Sequence, residues 1–148
     1  LQVRISGQSI LPHTGGVSFS WVARPLSGSP LSLIDSNTDA DRNGVFQEPL
    51  AAGSYSGTGP NPFTVENENR RNGAVGPGFF QLDLRGGYTF RLPQSRTLNL
   101  FVDVFNVTNR ANFNNPTGDR RSTDFLNLVA LRAGAVPTTL QVAARFQF

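Results

Sequence analysis

The segment FFQLDLRGGYTFRL, residues 79–92, alternates without interruption. Phe80, Leu82, Leu84, Gly86, Tyr88, Phe90 and Leu92 fall on one side of an extended chain, and Gln81, Asp83, Arg85, Gly87, Thr89 and Arg91 on the other. A strand written this way separates an apolar medium from a polar one. The same period of two recurs in TLNLFVDVFNV, where Leu98, Leu100, Val102 and Val104 oppose Asn99, Phe101, Asp103 and Phe105. It recurs in VSFSWVAR and LQVRISGQSIL, and again in TTLQVAARFQF, where Leu140, Val142, Ala144, Phe146 and Phe148 share a side. Five strands result, at about 1–11, 17–25, 79–92, 97–107 and 138–148. Helical periodicity is not convincing anywhere, and no apolar run approaches the roughly 20 residues that a membrane-spanning helix needs.

The connections decide how such strands are used. PHTGG joins the first pair and PQS the third to the fourth, both tight turns of Pro, Gly and small polar residues. The other two connections, at about 26–78 and 108–137, are far longer than a compact domain normally carries. Short and long alternate, so both long loops leave the sheet on one side. Short periplasmic turns, long extracellular loops and alternating strands describe an outer-membrane barrel. The expected fold is therefore all-β: an antiparallel transmembrane β-barrel segment of about five strands with two long extracellular loops. Five strands do not close a barrel by themselves. Residues 1–148 are read as the C-terminal part of a barrel in the bacterial outer membrane, with outer-membrane lipid as one partner. Phe19, Trp21, Tyr88, Phe90, Phe146 and Phe148 are expected near one rim as an interfacial girdle; in a sandwich they would instead fill a core.

Composition removes other classes. The chain has no Cys, Met or Lys, so all 13 basic residues are arginines. Disulfide frameworks and Cys-based metal or redox sites are excluded. The net charge of +3 is spread along the chain with no basic run, which argues against a nucleic-acid partner. His13, the sole histidine, lies in the PHTGG turn, and with no second histidine and no cysteine a catalytic triad has no support. The expectation is that the chain is not an enzyme. It opens on LQVRISG without an initiator or leader and reads as a fragment of something longer.

One loop segment carries a candidate chemistry. DSNTDADRNG places Asp35, Asn37, Asp39, Asp41 and Asn43 at every second position, followed by Gly44. Counted from Asp39, this reproduces the first six positions of a calcium loop, in which alternating oxygens wrap a hard cation and glycine allows the sharp turn. The twelfth position is Leu50 where a bidentate glutamate is wanted, and Glu48 falls two residues early. Asp39, Asp41 and Asn43, joined by Asp35 or Glu48, are the candidate calcium ligands; no other cofactor is required. A solvated Asp/Asn-rich turn explains the same residues more simply. The second long loop mixes Arg110, Asp119, Arg120, Arg121 and Asp124 with Phe113 and Phe125, and either closes over a ligand or packs on the other loop. NVT at Asn106 is a sequon discounted at a strand end. A turn at LPQSR that sets Phe90 opposite Leu98 brings Tyr88 to Leu100, Gly87 to Phe101, and Arg85 to Asp103 as a lumen pair.

RRNGAVGPGFFQLDLRGGYTFRL, LNLFVDVFNVTNRANFNNPTG and LQVAARFQF together resemble the last strands of TonB-dependent outer-membrane transporters, particularly those with a carboxypeptidase-regulatory-like N-terminal domain. FNVTNRANFNNP is the most specific of these, and the resemblance spans about residues 17–148. It implies a wall and loop segment of a receptor for energy-coupled uptake of an unidentified substrate. The plug and the TonB contact would lie in an N-terminal part outside this sequence. It also implies a C-terminal assembly signal read by the barrel-assembly machinery, with Gln141, Ala143, Phe146 and Phe148 at the signal positions and Ala143 departing from the expected glycine. Two alternatives stand beside it: a plugless porin or adhesin barrel, and a secreted calcium-dependent β-sandwich binding module.

Overall fold

The computed structural model describes residues 1–148 and contains eleven strands and no helix. In chain order these are β1 (Ile5–Ile10), β2 (Val17–Leu26), β3 (Pro30–Leu31), β4 (Ile34–Asp35), β5 (Glu48–Pro49), β6 (Gly53–Ser56), β7 (Thr64–Asn67), β8 (Ala74–Val75), β9 (Phe79–Leu92), β10 (Arg96–Phe105) and β11 (Thr139–Gln147). They divide into two compact units. One comprises residues 1–26, 80–111 and 136–148, and the other residues 27–79 and 112–135.

The first unit is a five-stranded sheet in the order β1-β2-β9-β10-β11, open at both edges. β9 and β10 form an antiparallel hairpin in which Phe90 faces Leu98, Tyr88 faces Leu100, Gly87 faces Phe101 and Arg85 faces Asp103. This is the register that the LPQSR turn implies. The turn closes through Gln94 and Ser95, both in the left-handed region at φ 64° and 60°, a geometry whose twist suits a hairpin. Gly87 is required by its neighbours: a Cβ there would lie 2.6 Å from Ser18 Oγ and 2.9 Å from the Phe101 ring.

At the centre of the sheet the exposure is inverted relative to a soluble protein. Val102 is 44%, Phe146 51%, Leu140 66% and Val142 70% exposed, whereas Asp103 and Gln81 on the opposite face are 4% and 1% exposed. On β10 the apolar Leu100 and Val102 are open while Asp103 is covered by its pair with Arg85, the distribution expected where hydrocarbon lies outside; the edge strand β11 is exposed on both faces. A sandwich would cover the apolar face with a second sheet; here it is bare.

Three details depart from expectation. The first strand is regular only from Ile5; Gln2 makes an isolated bridge to Leu26. Pro25 on β2 has no N–H to donate, so the ladder is interrupted opposite Val3, whose own N–H reaches the Pro25 carbonyl at 3.2 Å. The fourth strand ends at Phe105 rather than 107, because Asn106 turns the chain at φ 49°. The aromatic residues do not all meet at one rim. Tyr88 and Phe90 pack edge to face and Phe146 and Phe148 stack, near the PQS turn. The Thr89 N–H bonds the Gly16 carbonyl, so β2 begins level with Thr89, short of the hairpin tip. Counting on from there, Trp21 stands near Leu84, about 20 Å from Phe90 at roughly 3.3 Å per residue.

The second unit is built from the two long connections. Antiparallel ribbons pair β3 with β8, β4 with β5, and β6 with β7. Leu31, Leu33, Leu50, Val65 and Ala74 from the first connection and Leu126 from the second form one core, edged by Tyr55, Phe63 and Phe125. The regions expected as loops at 26–78 and 108–137 thus contain short strands and a core. Strands of two to four residues are too brief to display a period of two, which is why the sequence shows only turn residues there.

Candidate functional site

Chemistry-bearing side chains collect in three places. The first is the acidic turn between β4 and β5. Asp39, Asp41 and Glu48 bring carboxylate oxygens within 4.8 Å of one another. The turn is organised by its own side chains. Asp39 accepts the N–H groups of Asn43 and Gly44, each at 3.0 Å, and Asp41 accepts the Asn43 amide nitrogen at 2.7 Å. Gly44 takes φ 85°, the left-handed turn that favours glycine. Asn43 directs its carbonyl oxygen to the Val45 N–H at 2.7 Å, so it shapes the turn rather than joining the carboxylates.

Asp35 is also drawn elsewhere, into an ion pair with Arg121 at 2.9 Å. This contact joins the two long connections within their shared unit. The Arg121 guanidinium, with the Asn37 N–H, holds the Asp35 carboxyl below its ordinary range. Asp119 is lowered likewise by the Ser36 side chain and the Arg121 N–H. Of the five residues named as candidate ligands, the fold therefore converges Asp39, Asp41 and Glu48 and leaves Asn43 and Asp35 with other partners.

The second place is the polar face of the sheet. Arg85 binds Asp103 through two hydrogen bonds of 2.5 and 3.0 Å, and its guanidinium lies 5.4 Å from the Phe101 ring centre. A planar fork on a carboxylate fixes both strands in register. One rung away, Asp83 accepts Gln81 at 2.7 Å, the Asn106 N–H at 2.9 Å and Arg24 at 3.3 Å. A shallow hollow of about 200 Å³ lies among Ser20, Trp21, Asp83, Arg85 and Asp103.

The third is Asn106, 1% exposed. Its amide nitrogen donates to the carbonyls of Arg110 and Val136, and its side-chain oxygen accepts Thr108 Oγ1 and the Arg110 N–H. Its backbone carbonyl accepts Thr138 Oγ1 at 2.8 Å. One residue thus ties together both ends of the second long connection. The sequence shows this asparagine only as a sequon; the usable signal is an Asn at a strand end, where left-handed backbone is tolerated. His13 sits exposed in the β1–β2 turn at φ 65°. On β11, Gln141 pairs across from Asp103 and Ala143 from Phe101; Phe146 lies within the strand and the fully exposed Phe148 follows its last residue, Gln147.

A family model described as an outer membrane beta barrel domain matches residues 8–134. No curated protein and no solved structure matches the chain. The match spans most of the sequence, and β10 leaves Leu100 and Val102 open on one face with Asp103 ion-paired on the other, the apolar-out and polar-in alternation of a barrel wall. The chain belongs to the outer membrane beta barrel domain family and is a protein of the bacterial outer membrane.

Proposed function

We propose that this chain supplies wall strands and extracellular loops to a TonB-dependent receptor that takes up a substrate by energy coupling, and that it performs no catalysis of its own. The observation that carries the barrel-wall role is the inverted exposure of β10, bare at Leu100 and Val102 and covered at Asp103. The transporter reading draws support from the FNVTNRANFNNP and closing LQVAARFQF segments. In this reading Arg85 and Asp103 face the lumen, the exposed edge of β11 with Phe146 and Phe148 is what the assembly machinery reads, and TonB engages a part of the protein outside this sequence.

A planar-bilayer recording combined with site-specific cross-linking to TonB tests it. A plugged receptor should conduct little and cross-link to TonB in energised cells. A large steady conductance with no TonB adduct would overturn the transporter in favour of an open porin.

The lipid contact gives a second expectation. Val102→Arg should cost roughly 2–4 kcal/mol of barrel stability, the range for a cation on a mid-membrane lipid face. Spin labels at Val142 and Gln141 should report oxygen access at the first and aqueous-quencher access at the second. Equal access at both would exclude the wall assignment.

Calcium belongs to the same proposal. Three carboxylates, Asp41 exposed and Asp39 and Glu48 half-buried, repel each other, and a hard cation would relieve that repulsion. Millimolar calcium should protect residues 36–47 from protease, because weak extracellular calcium modules bind at about 10⁻⁴ to 10⁻³ M. Unchanged cleavage at those concentrations would remove calcium from the reading.

A further inference from the structure

Within the unit made from the long connections lies a hollow of about 400 Å³ lined by Ser32, Ile34, Val45, Gln47, Pro49 and Arg71. Its lining is uneven in a telling way. Ile34, Val45 and Pro49 give it apolar walls, and Ile34 and Pro49 are paired across the β4–β5 ribbon, which makes that wall a fixed surface. Arg71 is its only charged residue. The adjacent Arg70 is already matched by Glu68 at 2.5 Å, and the Ser32 hydroxyl is occupied by Asn72 at 2.8 and 3.1 Å. Arg71 takes part in none of the ion pairs of the chain. An apolar hollow with a few convergent polar groups and a volume within roughly 300–1,000 Å³ has the character of a small-molecule site.

We infer that this hollow binds a small amphipathic carboxylate, with the carboxylate on Arg71, a polar group against the Gln47 amide, and a short apolar substituent against Ile34, Val45 and Pro49. The charge decides the class. A guanidinium with no acid in the cavity favours an anion, and its planar fork suits a carboxylate bound through two hydrogen bonds. The walls favour a short apolar substituent beside the carboxylate, because it would cover Ile34, Val45 and Pro49, two of which are otherwise exposed, and a bare anion would not. The site goes beyond the transport reading, since binding here requires neither energy coupling nor a plug.

Titration of the intact purified barrel with N-acetylleucine and with its neutral amide, N-acetylleucinamide, tests the inference by ligand-observed NMR. The acid should bind, and the amide should bind at least about tenfold more weakly, the loss expected when a charge-assisted pair is removed. Arg71→Gln should abolish the preference for the acid. Arg70→Gln, whose guanidinium is held by Glu68 and does not line the hollow, should retain it and serves as the control for folding and general charge. Equal binding of acid and amide, no binding of the acid up to the millimolar range, or an unchanged preference in Arg71→Gln would each overturn the assignment. None of these outcomes depends on TonB, so failure here leaves the transporter reading standing.

Discussion

Leu126→Ala should unfold the unit formed by the long connections while leaving the five-stranded sheet paired. Leu126 is 0% exposed and is the only member of its core that comes from the second connection. Truncating a buried leucine costs about 2–5 kcal/mol, depending on how far the cavity collapses. Collapse is restricted at this position. Leu126 takes φ 49°, its N–H donates to the Thr117 carbonyl at 2.9 Å, and its carbonyl accepts the Phe63 N–H at 2.8 Å, so the backbone is held from both sides. A non-glycine residue in the left-handed region is itself strained by roughly 1–2 kcal/mol, and that strain persists only while the surroundings enforce it. Limited proteolysis of the barrel should show new cuts within 27–79 and 112–135, with the strands of the sheet still protected. An unchanged cutting pattern would mean that the two connections hold together without Leu126.

The second large effect is expected at Asn106. Asn106→Ala removes four side-chain hydrogen bonds at once, to Arg110 (two), Val136 and Thr108. Leaving several of these buried partners unsatisfied should cost about 2–5 kcal/mol. Alanine also sits poorly at φ 49°. Asn106→Gly separates the two contributions, because glycine adopts that backbone freely but makes no side-chain bond. Glycine should therefore recover roughly 1 kcal/mol relative to alanine and no more. Denaturant unfolding together with hydrogen exchange at Arg110 and Thr138 would measure this. Recovery to the parent level with glycine would show that Asn106 matters only as a turn residue.

How much of this fold is legible in the sequence follows from the length scale of each interaction. β9 and β10 are long enough for alternation to be unmistakable, and a three-residue turn between them fixes which residues face each other, so the Arg85–Asp103 rung is readable from the sequence alone. The acidic turn is legible because its residues are close in sequence, although only the fold shows that Glu48 joins Asp39 and Asp41 while Asn43 bonds the Val45 N–H instead. The Asp35–Arg121 pair, 86 residues apart, has no local signal. Nor does the place of Leu126 in the core that holds Leu33, since DFLNLVAL looks neither like a strand nor like a helix. The level of Trp21 is hidden for another reason: two tight turns look equally deep in a sequence, whereas Thr89 bonds to Gly16 and the β9–β10 hairpin reaches farther.

The core shared by the two long connections has a consequence for how this surface can vary. In many barrels each outer loop is an independent module that can be lengthened, exchanged or deleted, because it folds, if at all, on its own. Here Leu126 from one connection completes a core supplied by Leu31, Leu33, Leu50, Val65 and Ala74 of the other. Neither can drift freely. A graft of either segment into a foreign barrel would carry half a hydrophobic nucleus and expose it. Successful transplantation should require both segments together, and natural variants should change the two in concert.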